Sequence, residues 1–153
     1  MRRLLPLLLI VLVLGLATPA VAAPPFTETI NERGVTETFV DTITCEEEGA
    51  LYEITVTYNL VEHVTAFDDG RVHATFTQAG TFSAEPLDPT GQGATGHFAV
   101  WGGFNQNNKS ANGTFTFNVT GRFEDGSRLS VHAVDHFNET PTGAEFFFTR
   151  CRA

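Results

Sequence analysis

From residue 35 onward the chain alternates apolar and polar residues with a period of two, and no stretch of ten or more residues carries the 3.6-residue period of a helix. The alternating positions are rich in Val, Thr, Phe and Tyr, which suit a pleated, half-buried strand. Seven strands are predicted, at 35–45, 50–67, 71–84, 94–104, 113–123, 127–138 and 144–151. The second is longer than ordinary strands and should bend or bulge. The fold class is therefore all-β. One face of each strand is aliphatic and aromatic, the other Thr-rich and polar.

Two turns fix register. Apolar residues are even-numbered on both sides of Phe67-Asp68-Asp69-Gly70: Tyr52, Ile54, Val56, Tyr58, Leu60 and Val64 before it, Val72, Ala74 and Phe76 after it. A two-residue loop would pair even with odd and send the two apolar sets to opposite faces. A three-residue loop, Asp68-Asp69-Gly70, pairs Phe67 with Arg71 and keeps the sets together, with Gly70 taking the left-handed position such a loop wants. The same reasoning at Phe123-Glu124-Asp125-Gly126 pairs Phe123 with Ser127 and aligns Phe115, Phe117 and Val119 with Leu129, Val131 and Ala133. The two turns share local chemistry rather than a repeat, because their flanks do not match.

The N-terminus sets the compartment. Met1-Arg2-Arg3 precedes a 14-residue apolar run, Leu4 to Ala17, then Ala20-Val21-Ala22. That is the layout of a cleaved secretory signal, and the run is shorter than the roughly 20 residues of a membrane span. Cleavage after Ala22 gives a signal peptide at 1–22, a Pro-containing N-terminal arm at 23–34 with one short strand around Phe26 to Ile30, and a single β domain at 35–153. The predicted location is secreted, with no stable membrane anchor. Losing Arg2 and Arg3 lowers the Lys and Arg count from 9 to 7 against 18 Asp and Glu, a net charge of −11. Such an acidic chain repels phosphate backbones, which excludes nucleic acid as a partner.

The only cysteines, Cys45 and Cys151, are 106 residues apart. In an oxidising compartment they are predicted to form a disulfide. They end the first and last strands of an antiparallel meander joined by short loops. A meander that closes would bring those strands together, so a small seven- to eight-stranded barrel stapled at its seam is the first expectation. A two-sheet sandwich with an inter-sheet disulfide is the alternative.

No catalytic set, cofactor motif or metal motif stands out. His132 and His136 sit four apart on a strand, about 13 Å, too far to share an ion, and Asp135 faces the other way. The second hairpin register sets them across from Asn118 and Thr114. His63 and His73 are diagonal neighbours on the polar face of the first hairpin, opposite Thr75 and Thr65. Trp101 to Asn108 joins the single tryptophan, two glycines, Phe104 and a run of amides including Asn105. An aromatic face beside amides suits a sugar ring. Trp101, Phe104, Asn105, His63 and His73 are thus the candidate ligand-binding residues, set against a core tryptophan followed by a polar turn. Glu46-Glu47-Glu48-Gly49 reads as a solvated acidic turn. Asn108, Asn112, Asn118 and Asn138 each open a glycosylation sequon, which matters only in a eukaryotic secretory route.

The run Gly96-His97-Phe98-Ala99-Val100-Trp101-Gly102-Gly103-Phe104, then Asp125-Gly126-Ser127, Val131-His132 and a Phe-rich last strand ending in Cys151, resembles small secreted β-rich proteins of actinobacteria without an assigned function. The likeness covers about residues 93–153. It implies an exported bacterial β domain and brings no catalytic residue.

These observations lead to an exported, non-enzymatic β domain that binds a small molecule or surface glycan or plays an interaction role. An isomerase or cyclase of the barrel type, acting on an apolar substrate, is the alternative from another class. A wide cavity lined by Tyr52 or Tyr58 with a buried polar partner would favour it; a fully packed interior excludes it. Inhibition of a secreted hydrolase is a third reading, with 104–112 as the inhibitory loop and a secreted protein as the partner.

Overall fold

The structure is a computed structural model and describes residues 23–46, 49–107, 109–140, 142 and 144–153. The signal-peptide segment lies outside the described residues. Seven strands follow in chain order: β1 (Phe26–Thr42), β2 (Leu51–Ala66), β3 (Val72–Pro86), β4 (Ala94–Gln106), β5 (Ala111–Phe123), β6 (Arg128–Glu139) and β7 (Glu145–Arg152). Each pairs antiparallel with the next, giving one sheet in the order β1-β2-β3-β4-β5-β6-β7. The chain is all-β, in one sheet and not the two sheets of a sandwich.

Both turn registers hold. Phe67 N–H donates to the Arg71 carbonyl at 2.9 Å, and Phe123 N–H to the Ser127 carbonyl at 3.0 Å. Gly70 and Gly126 close these loops with φ of 83° and 85°, in the left-handed region. His63 faces Thr75 and Thr65 faces His73; Asn118 faces His132 and Thr114 faces His136.

The first strand departs from expectation. The segment around Phe26 to Ile30 is the start of a 17-residue strand. A bulge between Glu32 and Val35, with Gly34 at φ 63°, switches its parity. Before the bulge even residues of β1 share the inner face with Leu60 and Val64; after it odd residues do, with Phe39 opposite Ile54. An alternation that changes phase midway leaves no clean period to read. The irregularity foreseen for the long second strand therefore falls on its neighbour: β2 pairs with β3 without interruption.

The inner face holds the core: Ile43, Tyr52, Ile54, Val56, Tyr58, Phe82, Ala84, Ala94 and Leu129, with Phe98, Val119 and Val131 packed against it. The sheet curls tightly there. A Cβ on Gly80 would lie 2.0 Å from the Thr57 carbonyl oxygen, and one on Gly96 would lie 2.2 Å from that of Thr120. Glycine permits these backbone approaches. The outer face is polar, with threonine hydroxyls meeting across strands at 3.0 Å (Thr38–Thr55) and 3.2 Å (Thr36–Thr57).

The expected closed barrel is not formed. β1 pairs only with β2 and β7 only with β6, so the curled sheet has a seam. The edge strands explain this. β1 carries the bulge and turns Glu28, Glu32, Glu37 and Asp41 to the inner face, while β7 is eight residues long. Bulges, inward charges and short edges all oppose edge pairing. The disulfide does span the seam: Cys45, beyond the end of β1, is bonded to Cys151 of β7 with a Cα–Cα distance of 5.6 Å.

Candidate ligand cavity

Curling the apolar faces of seven strands around one axis leaves a hollow, because the side chains do not fill it. A cleft of about 740 Å³, open to solvent over part of its boundary, lies along the inner face, and every strand contributes to its wall. The apolar wall comes from the positions that carry the alternation: Phe39 of β1, Ile54 and Val56 of β2, Phe82 of β3, Phe98 and Val100 of β4, Phe117 and Val119 of β5, Val131 and Ala133 of β6. Ile43, just past β1, and Cys151 also line it, so the staple and the cavity share a border. Its size falls within the range of sites that enclose small organic molecules. A smaller hollow of about 370 Å³ lies against Thr44, Phe123, Arg128 and Leu129.

The polar residues on the wall are three acids, Glu37, Asp41 and Asp135, and four neutral ones, Gln78, Thr42, Thr44 and Thr149. Tyr58, a buried residue, donates its hydroxyl to Glu37 Oε1 at 2.9 Å in a part-buried hydrogen bond. That bond, then burial, holds the Tyr58 phenol above its ordinary pKa, because the neutral phenol keeps its proton for the carboxylate. Asp135 faces Phe115 on β5 and Thr149 on β7. Its Oδ1 is buried and has no hydrogen-bond partner.

The residues singled out from sequence do not gather at this cavity. Trp101 is mid-strand in β4, on the outer face between Thr77 and Thr116, and 40% exposed. It is neither in a loop nor in the core, because the strand runs on to Gln106 and even residues of β4 face inward. Phe104 is on the inner face opposite Ala74. Asn105 is on the outer face, and its Oδ1 meets His73 Nδ1 at 2.6 Å. His63 Nδ1 meets Thr29 Oγ1 at 2.8 Å. The two diagonal histidines thus turn to different strands, β4 and β1. His136 meets Thr114 at 2.9 Å and stacks on Phe148; His132 meets Asn118. The structure therefore joins His73 with Asn105 and leaves the other candidates apart.

The segment proposed as an inhibitory loop is mostly strand. Asn105 pairs with Asn112 and Gln106 with Ala111, so only 107–110 connect β4 to β5. Glu47 and Glu48 of the acidic turn and Asn108 lie outside the described residues. Among the described residues no group of three or more His, Cys, Asp or Glu is placed to hold a metal, and no helix is long and apolar enough to cross a membrane.

Sequence reasoning passed over Glu37 and Asp41, and used Asp135 only as a residue facing away from His132 and His136. The signal for Asp135 was parity: it shares the odd, core-facing set of Val131 and Ala133. For Glu37 and Asp41 the bulge hid the same signal. No family model, curated protein or solved structure matches this chain.

Proposed function

We propose that this protein is an exported binding domain that encloses a small, mainly apolar molecule inside its curled sheet. The observation that carries this reading is the cavity of about 740 Å³ walled by all seven strands. An apolar cavity that side chains leave empty forgoes dispersion contacts, and an apolar guest restores them. The disulfide supports the exported location, since such bonds persist in oxidising compartments. The open seam offers a route of entry between β1 and β7.

A second reading has its own support. Glu37 and Asp135 line the hollow, and Glu37 accepts a hydrogen bond from Tyr58, which packs beside the hollow without lining it. These are the groups an isomerase or cyclase of an apolar substrate needs: a shaped cavity and a proton acceptor. Binding precedes turnover in either case, so one experiment comes first. Titrating the full secreted chain with the uncharged fluorophore N-phenyl-1-naphthylamine should give saturable, 1:1 enhancement of its emission. A glycan site centred on Trp101 predicts instead that the dye does not bind and that oligosaccharides quench Trp101.

A further inference from the structure

We propose that the free edge of β7 is a self-association surface, on which a second copy of this chain pairs antiparallel about a two-fold axis at Phe147. The pairing is separate from the ligand reading and does not depend on the cleft being occupied.

Three consecutive large apolar residues stand in solvent on this edge. Phe146, Phe147 and Phe148 are 60%, 72% and 53% exposed. Single exposed hydrophobics are ordinary, but a contiguous patch marks an interaction site. The rings are already ordered by their neighbours. Phe147 lies 5.1 Å from Phe137, Phe148 stacks on His136 at 6.3 Å, and the Arg150 guanidinium is 5.6 Å from the Phe148 ring centre. Anchors held in place before association lose little freedom when covered.

The backbone beside these rings is unpaired as well. Thr140 N–H donates to the Ala144 carbonyl at 2.9 Å, which sets the phase of the β6–β7 ladder. By the alternation of antiparallel pairs, Phe146, Phe148 and Arg150 then bond to β6, whereas Glu145, Phe147 and Thr149 turn their N–H and C=O groups to the open edge. Cys151 is already flanked by Cys45, with a Cα–Cα distance of 5.6 Å. The free stretch is therefore 145–149, centred on Phe147. The opposite edge is guarded by the bulge and inward acids of β1. β7 has no bulge and no proline, and its one inward acid is Glu145.

This stretch is complementary to itself. Antiparallel pairing about Phe147 sets that residue opposite its own copy, Phe146 opposite Phe148, and Glu145 opposite Thr149. Aromatic residues meet aromatic ones, and the two acids do not meet. Positions of like parity pair, so inner and outer faces continue across the contact. An isologous contact of this kind closes at two copies. With about 150–250 Å² per aromatic side chain, the exposed rings offer about 400 Å² per chain. That places the contact at the low end of specific interfaces and makes the dimer weak, with a Kd of about 10–100 µM.

Salt gives the sign of the interaction. A formal net charge of −9 makes two copies repel each other. Salt screens that repulsion beyond about 8 Å, so it should tighten the pair, whereas binding of Arg150 and Arg152 to an anionic partner would weaken.

Sedimentation equilibrium of the full secreted chain, from about 1 µM to about 500 µM in low and high sodium chloride, reads the association. The parent should pass from monomer to dimer, plateau at two copies, and associate at least twofold more tightly in high salt. Phe147→Glu sets two carboxylates face to face on the axis and should weaken dimerisation at least tenfold. Phe26→Glu alters a residue 64% exposed on β1 and should leave dimerisation unchanged. Circular dichroism checks that both variants fold, and the parent measurement stands without them. A parent that stays monomeric throughout, association that continues past two copies, or a folded Phe147→Glu that dimerises like the parent overturns the proposal. So does equal weakening by Phe26→Glu, or a monomeric parent that sediments with phosphatidylcholine vesicles, which would give the phenylalanines to a lipid surface.

Discussion

Cys45 and Cys151 join the segment after β1 to β7 across a seam that no strand pairing closes, with their Cα atoms 5.6 Å apart and 106 residues between them. In most β-barrels a hydrogen-bonded ladder makes this closure. Here a single covalent bond stands in its place.

Loss of that bond should therefore be felt strongly. Cross-linking a loop of this length is worth about 4–5 kcal/mol at most by chain entropy. For a domain of this size, Cys45→Ser should lower the melting temperature by about 10–20 °C. Far-ultraviolet circular dichroism at low temperature should still show β structure. Equal melting of parent and variant would show that the seam does not depend on the staple.

The Tyr58–Glu37 bond predicts a tyrosine that titrates late. The folded pKa of Tyr58 is raised by the hydrogen bond to Glu37 and by burial. Its contribution to stability is thus present below the ordinary tyrosine pKa of about 10 and is lost as pH rises through the higher folded value. Tyrosinate absorbance should show a component above that of a free tyrosine, absent in Tyr58→Phe and moved down in Glu37→Gln. A parent titration unchanged by either substitution would contradict the pairing.

The turn carboxylates act at the other end of the pH scale. Asp69, Asp88 and Asp125 are held below the ordinary carboxylate pKa, chiefly by the Arg71 backbone N–H, the Thr90 backbone N–H and the Ser127 hydroxyl respectively. Depressed folded values mean a contribution present above about pH 4 and lost as pH falls through the folded values. Denaturant midpoints measured from pH 6 to pH 2 should fall in that window, and less steeply in Asp125→Asn. A parent midpoint that does not move between pH 5 and pH 2 would count against these turn bonds.

Two glycines on one strand pair should respond very differently to a methyl group. A Cβ at Gly80 would sit 2.0 Å from the Thr57 carbonyl oxygen, whereas one at Gly103 meets nothing closer than 3.5 Å. Gly80→Ala should cost about 2 kcal/mol or more, since the strands must part. Gly103→Ala should change stability by less than about 0.5 kcal/mol. Urea unfolding reads both, and similar costs at the two sites would show that the sheet does not curl at Gly80.

These sites also show what the amino-acid pattern reveals and what it hides. The hairpins at Gly70 and Gly126 were legible to the residue, because turn length and apolar parity must agree. The start of β1 was not, because the bulge at Gly34 reverses parity between Ile30 and Val35. Closure was misjudged because alternation reports faces and not edges; the inward acids of β1 that keep the edge unpaired look like surface residues in sequence. Two of those acids, Glu37 and Asp41, line the cavity together with Asp135, so part of what obscured the fold also marks the candidate site. Trp101 drew attention as an isolated tryptophan beside glycines, yet strand parity puts it on the outer face, away from the cavity.

The central claim is that the interior is a binding space, and filling it tests that most directly. Ala133 lines the cavity from β6, so Ala133→Trp would place a large ring in it. Isothermal titration of N-phenyl-1-naphthylamine into parent and variant should show 1:1 binding to the parent and at least tenfold weaker binding to the variant, with both folded by circular dichroism. Equal binding to a folded Ala133→Trp would place the dye outside the cavity and contradict the account.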